Sequence, residues 1–135
     1  MKRRTLILSA PALLAAGRAS ADAYPNKPLR YIVPVAPGGG SDFVGRTVCE
    51  RWGKALGQTF IVDNLSGGGG VIAAQATVKA PADGYTLMQG YVATHGTTPA
   101  TRTISYDAIK QFTPIGMIGA TPNVLVVNVN VPAKT

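Results

Sequence analysis

Two glycine runs are the places where this chain could do chemistry. The first, VAPGGGSDFVGR, covers residues 35–46 and sets Gly38, Gly39 and Gly40 directly before Ser41 and Asp42. The second, NLSGGGGVIAAQ, covers residues 64–75 and sets Gly67 to Gly70 before an Ala-rich stretch. Backbone without side chains lets a ligand approach closely. A helix starting just behind it adds N–H groups that have no intrahelical acceptor, together with the positive end of the helix dipole. Two such loops side by side would make a small anion site built from amides, suited to a carboxylate or a phosphate.

Other chemistries find less support. GGGVIA, residues 68–73, matches the G-x-G-x-x-A dinucleotide fingerprint, but that fingerprint also needs an acid near the end of the next strand. Here the next strand ends in LMQG, with Gln89 and no carboxylate, while Asp83 precedes it. No G-x-x-x-x-G-K-[ST] motif occurs, which removes P-loop nucleotide hydrolysis. Ser41 follows glycines, yet the G-x-S-x-G elbow fails because position 43 is Phe. His95 is the only histidine, and nothing marks an acid partner for it. Ser41 reads as a helix N-cap and Asp42 as a residue favoured by the positive helix start. His95, in ATHGTTP, reads equally as a loop residue near a ligand or as a structural one. Cys49 is alone, so no internal disulfide forms, and with one histidine no Cys/His metal site can be built. It falls within a helical pattern as a packed, inert thiol. The sequence therefore predicts no catalytic set, no metal and no cofactor.

The elements that must hold these loops alternate. LRYIVPV (29–35) is an apolar run of strand length. Residues 41–57 carry Val44, Val48, Trp52 and Leu56 as one helical stripe, ended by Gly57. QTFIVDN is a second strand, GVIAAQATVKA a second helix stopped before Pro81, and DGYTLMQG a turn followed by a third strand. FTPIGMIG and NVLVVNV read as two further strands. This β-α-β-α-β order predicts a mostly parallel sheet flanked by helices, with both glycine runs beyond strand carboxyl ends, where such sheets bind ligands.

Residues 1–23 read as a signal peptide: Lys2, Arg3 and Arg4, the short apolar run TLILSAPALLAAG, and small residues at Ala21 and Ala23 for cleavage. The Arg3-Arg4 pair also fits twin-arginine export. The run is too short to span a bilayer, which takes roughly 20 apolar residues. Four of the 13 basic residues lie in this segment, so cleavage after Ala21 lowers the formal charge from +7 to +3. The remaining cations are scattered singly, which argues against nucleic acid and suits a small anionic solute. Asn64-Leu65-Ser66 matches a glycosylation sequon, which a bacterial export route leaves silent.

In order along the chain, YPNKPLRYIVPVAPGGGSDFVGR, GQTFIVDNLSGGGGVIAAQ, KAPADGYTLMQG, THGTTPA and YDAIKQFTPIGMIGATPNVLVVN resemble the tripartite tricarboxylate transporter receptor family, the Bug-type extracytoplasmic solute receptors. The resemblance runs from Tyr24 to the last residue. It implies a periplasmic, monomeric solute-binding protein of two α/β lobes that delivers a small carboxylate-bearing solute to membrane permease subunits. On it, residues 24–120 form lobe one of a periplasmic binding protein type II-like fold. Residues 121–135 supply a hinge strand and the start of a second lobe, truncated before most of it. The ligand contacts it implies are Gly39, Gly40, Ser41 and Asp42 from the first loop, Gly68, Gly69 and Gly70 from the second, and Thr94 and His95 from the loop after strand three. Val71 stands where the family commonly has a polar residue, and Tyr91-Val92 replace small residues. The rival reading is a small secreted α/β hydrolase, which would need a nucleophile, base and acid in one cleft.

Overall fold

The structure is a computed structural model and describes residues 23–122 and 124–132. The predicted export segment falls outside them except for Ala23.

Strand β1 (Leu29–Val33) is the centre of a three-stranded sheet, with β2 (Phe60–Asn64) on one side and β3 (Thr86–Met88) on the other. Both pairings are parallel, in a register that sets Tyr31 opposite Val62 and Leu87. Parallel neighbours need crossover connections. Helix α1 (Gly40–Leu56) carries the chain from β1 to β2, and α2 (Val71–Val78) carries it from β2 to β3. A π-helical turn (Ala93–Thr97) and the short α3 (Thr98–Thr101) follow β3.

The central strand is buried on both faces, as expected when helices cover a parallel sheet. Tyr31 and Val33 pack with Cys49 of α1 into the core cluster, joined by Val35, Trp52, Phe60, Val62 and Leu87. The Tyr31 and Trp52 rings meet edge to face, with centroids 6.0 Å apart. Ile32, on the opposite face of the strand, is fully buried, as are Ala73 and Ala74 of α2.

Three expectations are corrected. The buried face of α1 is centred on Asp42, Gly45 and Cys49, beside the predicted stripe: Val48 and Trp52 are half-buried, with Trp52 packed on the core, but Val44 and Leu56 are exposed. The reason is close packing at Gly45, where a Cβ would come within 3.0 Å of Val33 Cγ2 and 2.8 Å of Gln89 Oε1. That lets the helix settle on its glycine edge rather than its valine edge. Second, the N-cap of α1 is Gly39, not Ser41, and no side chain caps it. Gly57 does end the helix in the left-handed conformation, its N–H donating to Gly53 O.

Third, FTPIGMIG and the described part of NVLVVNV, residues 124–129, are not strands, so no hinge strand forms among the described residues. A strand exists only when a partner takes its backbone groups. The edges offered by β2 and β3 take neither segment, and Val124, Leu125, Val126 and Val129 stay largely exposed.

Candidate functional site

Adjacent parallel strands put their carboxyl ends on one rim of a sheet. The loop after β1 and the loop after β2 therefore leave the same rim side by side. The two loops touch. A Cβ placed on Gly70 would lie 3.5 Å from Pro34 Cβ, and Leu65 N–H donates to Val33 O at 2.9 Å.

A polar clamp fixes the first loop. Asp42, almost fully buried, accepts hydrogen bonds from the Gly38 N–H (2.9 Å), Arg46 Nε (3.1 Å) and Asn64 Nδ2 (2.9 Å). Asn64 Nδ2 also donates to Val35 O at 3.1 Å, while Arg46 Nη2 donates to Asn64 Oδ1 at 3.0 Å. The last residue of β2 thus ties down the loop that follows β1. The Arg46 hydrogen bond, then the Gly38 N–H and Asn64, hold the Asp42 carboxyl down to about 2. Asp42 faces inward onto its own loop, a positioning role for a residue the sequence placed among the contacts.

The second loop is a left-handed turn. Gly67, Gly68, Gly69 and Gly70 all have positive φ, and Gly70 N–H donates to Gly67 O at 2.9 Å. At three of the four, crowding adds to conformation: a Cβ would sit 2.7 Å from Ile72 Cδ1 at Gly67, 2.8 Å from Thr98 Oγ1 at Gly69 and, tightest, 2.3 Å from Thr94 Cγ2 at Gly70. The Gly70 amide is spent inside the turn. The free donors of this loop are those that helix geometry leaves without an intrahelical acceptor, on Val71, Ile72 and Ala73. On the first loop the same rule frees the amides of Gly39, Gly40, Ser41 and Asp42, since the Phe43 N–H already reaches Gly39 O.

The turn after β3 backs this rim. Thr94 is fully buried; its hydroxyl lies 2.9 Å from Tyr91 O, 3.0 Å from Tyr91 N and 2.8 Å from His95 Nδ1. With the hydroxyl proton given to Tyr91 O, its two lone pairs accept from Tyr91 N–H and from a proton on His95 Nδ1. Tyr106 Oη donates to Thr94 O at 2.7 Å, and Thr98 Oγ1 donates to Gly69 O at 3.3 Å. The His95 ring meets Phe112 edge-on at 4.8 Å, and its partial burial lowers its pKa below the ordinary histidine value. Thr94 therefore props up the second loop from below, while His95 lies on the outer side. An open concavity of about 750 Å³ borders His95, Pro99 and residues 104–111 and includes neither glycine loop.

The structure thus brings Gly39, Gly40, Ser41, Gly68, Gly69 and Gly70 to one rim and places Asp42 and Thr94 beneath it. Sequence reasoning missed Arg46, Asn64 and Thr98 as the groups that hold the loops. Only Arg46 had a legible signal, four residues after Asp42, where a helical ion pair forms. Among the described residues no group of three or more His, Cys, Asp or Glu gathers to hold a metal.

Comparison with known proteins agrees with this architecture. The tripartite tricarboxylate transporter family receptor pattern matches residues 44–135. Protein BugT of Bordetella pertussis is 39% identical over 111 residues, covering 81% of this chain and 34% of that protein. MatC from Rhodopseudomonas palustris, solved with bound malate, superposes with a TM-score of 0.64 at 37% identity, covering 67% of this chain and 31% of that one. An R. palustris protein solved with adipate gives a TM-score of 0.60 at 38% identity, covering 63% of this chain and 29% of that one. The chain spans about a third of the length of these relatives. The chain belongs to the tripartite tricarboxylate transporter receptor family.

Proposed function

We propose that this chain forms one wall of an extracytoplasmic receptor for a small carboxylate-bearing solute, held by backbone amides of the two glycine loops. The observation that carries the reading is the contact between these loops on a single rim, with two helix N-termini behind them. The family is one of receptors rather than enzymes, and relatives with 37% and 38% identity were solved with malate and adipate. In this reading the receptor hands its solute to membrane permease subunits of a tripartite transporter. It acts in the periplasm as a monomer after loss of residues 1–21 or 1–23, residues 24–120 being its first lobe.

Amide hydrogen bonds that compete with water contribute about 0.5–1.5 kcal/mol each, more when the acceptor is charged. They work against the several kcal/mol of translational freedom a bound solute gives up. One wall alone therefore binds small carboxylates no better than about millimolar, roughly −4 kcal/mol. The test is an amide chemical-shift titration of the purified chain with acetate and, as a neutral control, acetamide. Acetate is expected to move the Ser41, Asp42, Val71 and Ile72 amides where acetamide does not. Equal shifts from both, or none from either, would refute the anion site.

A further inference from the structure

His95, an implied solute contact, is tied instead to the group that supports the second glycine loop. The Thr94 hydroxyl has one proton and three polar neighbours: Tyr91 O at 2.9 Å, Tyr91 N at 3.0 Å and His95 Nδ1 at 2.8 Å. The carbonyl can only accept and the amide can only donate. A hydroxyl proton spent on Nδ1 would leave two bare oxygens 2.9 Å apart. Spent on Tyr91 O, with a further proton on His95 Nδ1, it leaves a proton in each of the three contacts. The neutral ring is therefore the Nδ1–H tautomer, with its free lone pair on Nε2. A second proton enters at Nε2 and leaves the bond to Thr94 in place. The ring is wedged as well: Phe112 meets it edge-on at 4.8 Å, and a Cβ on Gly90 would lie 3.0 Å from its Cε1. Tyr106, Asp107 and Lys110 are the titratable groups bordering the same concavity, with Tyr91 one turn earlier on its own element.

We propose that His95 is a positioning residue of the solute site. Its Nδ1–H fixes the Thr94 hydroxyl. Thr94 in turn sets the methyl that seats Gly70 and, one residue on, the first amide of α2. The inference rests on the carboxylate-receptor reading above and states how that site keeps its shape without the ring meeting the solute. Solute affinity then does not follow the protonation of His95, because the donated proton stays on Nδ1 in both states.

The test uses the purified chain. Long-range nitrogen–proton NMR spectra read the imidazole without solute, and the expected result is a protonated Nδ1 and a bare Nε2. Formate is then titrated across the pH range in which the ring protonates, reading the amides of Ser41, Asp42, Val71 and Ile72. Affinity is expected to change by less than about twofold, the weak effect of a screened charge at a distance. A ring touching the anion would instead raise affinity about tenfold or more on protonation, as a charge-assisted hydrogen bond does. His95→Leu keeps bulk against Phe112 but loses the donor, so affinity falls about two- to tenfold. His95→Asn returns an N–H to this place and keeps affinity within about twofold. In a Thr94→Val chain the cost of His95→Leu should vanish, since the acceptor is gone. An Nε2–H tautomer, a tenfold rise on protonation, a His95→Leu chain that binds like the parent, or a cost undiminished in Thr94→Val would each overturn the proposal and leave the anion site standing. If formate moves none of these amides at any pH, the site itself is refuted and the positioning role falls with it.

Discussion

Replacing Gly70 by alanine tests the construction of the second loop most directly. Gly70 has φ +87, and an added Cβ would stand 2.3 Å from Thr94 Cγ2, closer than real Cβ contacts come. Thr94 cannot move aside cheaply, since it is fully buried and its hydroxyl is held at Tyr91 and His95. The left-handed conformation costs a residue with a Cβ about 1–2 kcal/mol. Forcing a methyl into a filled space costs a further ~1–3 kcal/mol. The expected destabilisation is therefore about 2–5 kcal/mol, against a total stability of about 5–15 kcal/mol for a domain of this kind. In thermal unfolding followed by circular dichroism, Tm should fall by at least about 10 °C. Gly40→Ala is the control: Gly40 is helical, a Cβ there meets nothing within 4 Å, and the expected change is neutral to about 0.5 kcal/mol stabilising. Adding Thr94→Ser to Gly70→Ala deletes the methyl that is struck, so it should restore the collision part, about 1–3 kcal/mol, and leave the conformational part. A Gly70→Ala chain within about 0.5 kcal/mol of the parent, or no rescue by Thr94→Ser, would refute this account of the loop.

Further outcomes follow from the same geometry. Asp42 has its pKa lowered from 3.8 to about 2 in the folded chain, so its ionised form stabilises the fold fully above about pH 4. That contribution is lost as pH falls toward 2, and Asp42→Asn should flatten this part of the stability–pH curve measured by denaturant titration. Asn64→Ala removes two donated hydrogen bonds and one accepted, costing about 2 kcal/mol, and should broaden the amide resonances of residues 35–40. Burial pushes the Cys49 thiol up to about 11, so a thiol reagent at pH 8 should label it only in denaturant; rapid labelling of the folded chain would contradict the packing under α1. Val126, 80% exposed in an uncharged β-branched stretch, should drive self-association that Val126→Lys reduces in light scattering.

Much of the fold was legible because short-range physics decides it. The apolar run at Leu29–Val33 admits little but a strand buried on both faces, and glycines before Ser41 and Val71 mark two strand-to-helix turns. The alternation of elements then forces parallel pairing and puts both loops beyond carboxyl ends. The segments at 112–119 and 124–129 carry the same apolar and β-branched character yet form no strand, because strand propensity counts for nothing until another backbone pairs with it.

Within the site, residue types and order determined that two amide-rich turns would precede two helices, and that no catalytic set accompanies them. Tertiary structure alone decided which groups face a solute and which hold the loops. Asp42 turns inward because Arg46 and Asn64, the latter 22 residues away, converge on its carboxylate. Thr94 is buried because Gly70 leaves room for its methyl and Tyr106 reaches its carbonyl from 12 residues further on. The stripe of α1 rotates to Gly45 because helix and sheet approach most closely where no side chain intervenes. Such choices depend on distances between parts of the chain remote in sequence, and those distances exist only once the sheet has brought the strands together.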